Sequence, residues 1–293
     1  MRQLKMYPLL QDNMLSIYIG QLQKKRLMEK FSKFNVEKFS HGVNFKVGKN
    51  VSITGSDGGP AKDIQFGDNC YLGDNVQIMC DTLSVGDFAR IHHDTNFHGK
   101  KHCIIGHNLW VGQYSIIDSQ GGMTIGDNCG IGAHSQLWSH IRYGDMLEGC
   151  LFNSTTEMDI GNDVWFVGHC IVAPIKAESR SMAMVGSVVT KDMKYNTVYA
   201  GVPAKGISEK IGPQFANVSI EEKYETMKTY YLECGSPKTI QIVKNIKDIC
   251  LDLPISYFNV KDRKYTKRLS LEEIQFMKFL LPTKAKFTPY ENN

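Results

Sequence analysis

The stretch "IGDNCGIGAHSQLWSHIR", residues 125–142, is three sixes laid end to end. Each six opens on a large apolar residue, Ile125, Ile131 and Leu137. In the first two a glycine follows, and the fifth place is small, Cys129 and Ser135. Working outward, triplets of sixes open the same way at Phe66, Val85, Ile105 and Ile160, so that all 15 sixes begin apolar. Short internal periods of this kind mark architectures whose units cannot bury their faces alone and must stack. Each six is one short strand with an inward apolar side chain, followed by a turn in which glycine, Asn or Asp accepts a positive φ. Three strands close one triangular coil, and coils stack in parallel so that only the end coils keep unpaired edges.

The spacing also says where the repeat breaks. Three sixes need 18 residues, but successive triplets start 19, 20, 20 and 35 residues apart. Every surplus falls in or after the third six, hence near one corner of the prism. The large surplus, residues 138–159, must loop out there, with His140 at its root. Loops carried on a rigid scaffold are where function gathers. A looser coil is read at "VGKNVSITGS" (residues 47–56). The pattern resumes at "AMVGSVVTKD" (residues 183–192) after a step of 17 from Ile160 to Ala177.

This reading divides the chain into a cap at 1–42, a β-helix at 43–206 and an appendage at 207–293. In the cap, "LQKKRLMEKFSKF" is the best helical candidate, and Lys24, Lys25, Arg26 and Lys30 read as its solvated face. In the appendage, "SIEEKYETMKTYYLECG" and "SLEEIQFMKFLL" open with Ser-x-x-Glu, which makes Ser219 and Ser270 expected N-caps. "TIQIV" and "ISYFNV" read as strands. The basic run "KDRKYTKR" reads as solvated surface, with contact to an anionic acceptor as the alternative.

Composition narrows the function. The net charge of +4 suits anionic small molecules and is too low and too scattered for nucleic acid. No apolar run reaches the length of a membrane span, so no integral membrane segment is expected. The first twenty residues lack the apolar core of a secretory signal, which makes a cytoplasmic location the expectation. None of the 8 cysteines forms a CxxC or a zinc spacing. Cys70, Cys129 and Cys170 hold the small apolar place of the repeat and read as buried free thiols.

With these motifs laid out, the chain resembles the hexapeptide-repeat acyltransferases, in particular the maltose, galactoside and exopolysaccharide O-acetyltransferases. "IGDNCGIGAHSQLWSH", "IGNDVWFVGHCIVAP" and "VGSVVTKDMKYNTVYAGVPAK" carry the likeness, which covers about residues 60–208. The resemblance implies that the β-helix is left-handed, so the expected fold is mainly β, a left-handed parallel β-helix, with the N-terminal cap and small α/β C-terminal appendage read above lying outside the likeness. It further implies a homotrimer with sites between subunits, transferring an acetyl group from acetyl-CoA to a sugar or glycan hydroxyl; no metal is expected. His140 matches the general base, and Gly168 matches the backbone amide facing the thioester oxyanion. Gly168, Val185, Thr190, Lys191 and Lys205 match coenzyme A contacts. Asp118, His92, His93 and His98 are expected on the acceptor side, with a turn role the alternative for Asp118; Trp165 is read as packing or as part of the matching segment.

Departures from the family pattern are Val167 for glycine, Ile141 after the histidine, and "PIKAESRSMAM" where a regular coil should stand. Transfer to the nitrogen of an amino sugar or antibiotic stays open beside O-transfer. Two rivals share the prism: a zinc enzyme of the γ-carbonic anhydrase type, suggested by His102 and His107 but lacking a histidine at Gly112, and a trimeric scaffold without chemistry.

Overall fold

The structure, a computed structural model, describes residues 34–290. Apart from Phe34, the helical candidate of the cap lies outside the described residues.

Strands and turns follow the sixes. The coil that opens at Ile125 shows the plan: Met123–Ile125 lies on a first face, Gly130–Ile131 on a second and Gln136–Leu137 on a third. Parallel pairing joins Phe66 to Val85, Val85 to Ile105, Ile105 to Ile125, Ile125 to Ile160 and Ile160 to Ala177. These are the frames read from the repeat. The fold is therefore the expected parallel β-helix of stacked coils with a C-terminal α/β appendage. All 15 apolar openings are buried, in one cluster along the prism axis. Each contributes on the order of 1.5–3 kcal/mol by leaving water.

The stack begins earlier than residue 43. Val36–His41 pairs in parallel with Ala61–Phe66. Its adjacent charges, Glu37 and Lys38, and its polar Ser40 and His41 hide the period, as suits an outer strand that must not recruit another chain. "PIKAESRSMAM" still forms a coil, in which Lys176–Ala177 and Met182–Ala183 pair with the coil before it.

The first turn, between the first and second faces, is a ladder of left-handed residues: Asn44, Asn69, Phe88, Asn108, Asn128 and Asp163. Asn44 Nδ2 donates to Asn69 Oδ1 at 3.0 Å, and Asn108 Nδ2 to Asn128 Oδ1 at 2.8 Å. Phe88 interrupts this chain of amides. It leaves Asn69 Nδ2 and Asn108 Oδ1 buried without partners and sends its ring into the appendage core beside Phe258, Phe276 and Phe287.

The appendage carries helices Ile220–Glu233 and Leu271–Leu280 and a sheet of Ile240–Val243, Ser256–Asn259, Lys264–Tyr265 and Thr288–Pro289. Ser219 caps the first helix in a full capping box. Ser270 caps the second through Glu273 N, but the Glu273 carboxylate turns inward to accept from Ser256 Oγ at 2.5 Å and Arg268 N at 2.7 Å. The basic run is not solvated surface. Arg263 grips Asp163 with two bonds of 2.8 and 2.9 Å, and Lys267 sits between Asp68 and Asp87. The run bolts the appendage to the first turn of the prism.

Candidate active site

The surplus residues collect at the third turn, between the third and first faces. There the 138–159 segment folds back as a hairpin, with His140–Arg142 antiparallel to Asn153–Thr155. Its root is held by Thr156 N donating to Ser139 O at 2.9 Å. Gly121 lies under this root, where a Cβ would come within 2.5 Å of two carbonyl oxygens, those of Thr156 and Ser139. His140 is thus the first residue to leave the prism.

One coil earlier, Asp118 ends the strand Ile116–Asp118 and is fully buried. Its Oδ2 lies 2.5 Å from His140 Nδ1 and accepts from Ser139 N at 2.9 Å. Its Oδ1 accepts from Gln120 N at 3.0 Å and lies 3.5 Å from His98 Nε2. Asp118 is therefore not open to an acceptor, nor merely part of a turn: its oxygens are committed to positioning the imidazole of His140. That bond places the proton of neutral His140 on Nδ1 and leaves Nε2 as the accepting nitrogen.

His98 pairs with Asp118 along the ladder and is held by Asn96 Oδ1, 3.0 Å from its Nδ1. Burial pushes the His98 pKa below 6.5, against the pull of the Asp118 carboxylate, so the ring is neutral at pH 7. Trp138 stands edge-on to both rings, with centroids 5.9 Å from His98 and 6.2 Å from His140. Trp138, Ser139 and Asn96 were not singled out by sequence. Ser139 and Trp138 adjoin His140, but their contacts depend on how far each surplus shifts one coil over the next.

The remaining expected residues do not converge in one chain. His92 and His93 sit at the second turn, a full strand from His140. His92 packs beside Tyr71 and Trp110, and His93 beside Tyr114. Burial, followed by the charge of Arg90, lowers the His92 pKa. Gly168 is also at the second turn, at φ +148, with Val185 above it through the bond from Gly186 N to Gly168 O of 3.0 Å. Thr190 and Lys191 are exposed at the third turn, two coils beyond His140. Lys205 pairs with Ala200 at the end of the second face.

His102 bonds Glu157 at 3.0 Å on the first face, whereas His107 accepts from Asp87 N at 2.9 Å in the first turn. No group of His, Cys, Asp or Glu able to hold a metal ion occurs among the described residues.

Comparison with known proteins agrees with the resemblance read from the repeat. The chain is 26% identical over 202 residues to galactoside O-acetyltransferase of Escherichia coli K12, a match covering 67% of this chain and 64% of that enzyme. Among solved structures, the polysialic acid O-acetyltransferase OatWY aligns with a TM-score of 0.33 at 20% identity, over 62% of this chain and 92% of its own. AntD, an N-acyltransferase from Bacillus cereus, aligns with a TM-score of 0.39 at 14% identity, over 71% and 95%. No family model matches.

Proposed function

We propose that the protein is an acetyl-CoA-dependent O-acetyltransferase acting on a sugar or glycan hydroxyl, with His140 as general base. The observation that carries this reading is the 2.5 Å contact of His140 Nδ1 with the buried carboxylate of Asp118, at the root of the one long hairpin in the prism. Such a carboxylate fixes the tautomer and stabilises the imidazolium that forms when Nε2 takes a proton.

The steps balance without a covalent enzyme intermediate. Nε2 of His140 removes the acceptor hydroxyl proton as the oxygen attacks the thioester carbon. The resulting oxyanion collapses, the carbon–sulfur bond breaks, and the leaving thiolate takes the proton back from His140. Buried Ser139 and the edge of Trp138 keep bulk water from the Asp118 side. An amine acceptor would surrender its proton to the same nitrogen; the galactoside relative favours oxygen.

The oxyanion amide in this reading is that of Gly168, with Val185, Thr190, Lys191 and Lys205 along the coenzyme. Gly168 and His140 occupy different turns of one prism, so they meet only if neighbouring copies supply one each, which is the reason to read a homotrimer. The hairpin supports an assembly: Tyr143, Leu147, Leu151 and Phe152 expose large apolar surface at its tip. Cysteines that are all free fit a reducing, cytoplasmic setting. No helix among the described residues is long and apolar enough to cross a membrane.

The test is thiol release from acetyl-CoA against galactosides, other sugars, amino sugars and nucleotide-sugars. Acceptor-dependent release with a saccharide hydroxyl is expected. Release with none of them would overturn the reading, and release with amines alone would convert it to N-transfer.

A further inference from the structure

A cavity of about 1100 Å³ lies far from His140, between the second face and the appendage. Its floor is one straight row of outward side chains, paired coil to coil: Lys46, Tyr71, Arg90, Trp110, Gly130 and Trp165. Successive members are about 4.8 Å apart, the spacing of paired strands. The row reads cation, ring, cation, ring, gap, ring. Exposed tryptophans on a flat β-face are unusual, and here Trp110 is 39% and Trp165 43% exposed. Gly130 has no side chain and the Trp165 indole lies over it, so a Cβ there would stand 3.0 Å from Trp165 Cδ1.

The charge in this cavity is unbalanced. Lys278, on the helix Leu271–Leu280, faces Lys46 and Arg90 closely enough that burial, and then those two cations, lower its pKa. None of the three makes an ion pair with a described residue. The carboxylate that lines the cavity, Asp163, is already taken by Arg263. Converging cations against partly apolar walls form a site for an anion, and indole faces supply stacking that any flat heterocycle can use.

We propose that this cavity binds a nucleoside phosphate, its base against the exposed indoles of Trp110 and Trp165 and its phosphates on Lys46, Arg90 and Lys278. The cavity stands apart from His140, which lies at the third turn, and the proposal does not require His140 to act as a base. Two sources share the chemistry, a free nucleotide and the nucleotide end of coenzyme A, and the arms of the test separate them.

The three tryptophans of the chain allow an optical readout. In full-length Trp138→Phe, the emission comes from Trp110 and Trp165 alone. Titration with ADP is expected to quench it saturably. Arg90→Glu with Lys278→Glu should weaken ADP binding at least about tenfold while adenosine changes little, since only the phosphates meet those cations. In the otherwise unmutated protein, Trp110→Ala should weaken ADP binding by calorimetry. These side chains point outward, and unchanged melting and circular dichroism identify folded variants.

If coenzyme A displaces ADP and is weakened by the same charge reversals, its nucleotide end is the source. If ADP binds undisturbed by saturating coenzyme A, a free nucleotide is. Absence of saturable binding by both, or affinities that ignore the charge reversals, overturns the proposal. So does binding of an acidic oligosaccharide in their place.

Discussion

Two turns of the same prism depart from the repeat in opposite ways. The third turn adds length: residues 138–159 grow into a hairpin while the ladder of inward residues continues beneath it from Ile125 to Ile160. The first turn adds nothing to its length and works by substitution: Phe88 stands between Asn69 and Asn108 in the left-handed row and carries a whole appendage. An insertion leaves the scaffold's hydrogen bonds intact and creates a new edge at the surface. A substitution within the ladder breaks those bonds, orphaning Asn69 Nδ2 and Asn108 Oδ1, and recovers stability by burying an aromatic ring in another core. The first device suits a reactive side chain that must meet substrates. The second suits permanent attachment.

This contrast can be broken by mutation, and the largest effect belongs to the third turn. Asp118→Asn is expected to lower kcat by about 10²-fold or more, because the amide can present its N–H to Nδ1 and select the wrong tautomer. A steady-state assay across pH checks it, since a positioning role also moves the pH profile. An unchanged profile and rate would reduce Asp118 to a structural group.

At the first turn, Phe88→Ala should destabilise the protein by about 3–5 kcal/mol, the usual loss for a buried phenyl ring. Phe88→Asn sharpens the contrast. It restores the amide ladder while emptying the appendage core, so denaturant melts should show the prism retained and amide exchange should rise in residues 220–280. A single unaltered transition would deny that Phe88 is the anchor. Ser219→Ala, away from both turns, should cost only about 1 kcal/mol by loss of an N-cap, seen as a small drop in Tm.

The smallest effect is one of pH. His98 and His92 are held below 6.5 in the folded chain, so the folded state takes up fewer protons than the unfolded as pH falls through that value. Their contribution to stability is present above 6.5 and lost below it. Tm should therefore fall between about pH 7.5 and about pH 5.5, and His98→Gln should flatten the slope.

The same contrast explains what could be read from sequence. Fifteen apolar openings fix the coils because each inward side chain must be apolar whatever surrounds it. The hairpin was legible because a surplus of residues changes an interval. The Asp118–His140 contact was not, since which side chains face each other across a turn depends on how one- and two-residue surpluses shift adjacent coils. The docking of the appendage was hidden for a different reason. One Phe among asparagines, and a basic run such as residues 261–268, look like tolerated surface variation until their partners Asp68, Asp87 and Asp163 are seen opposite. Val36–His41 escaped because an outer strand needs charges more than it needs the period.

The most direct measurement is kcat/KM of His140→Ala with acetyl-CoA and a saccharide acceptor, taken beside its melting curve. The account predicts a fall of about 10² to 10⁴-fold, the range expected when a positioned base is removed, with Tm unchanged. Turnover within about threefold of the unmutated protein, well short of that range, would contradict it.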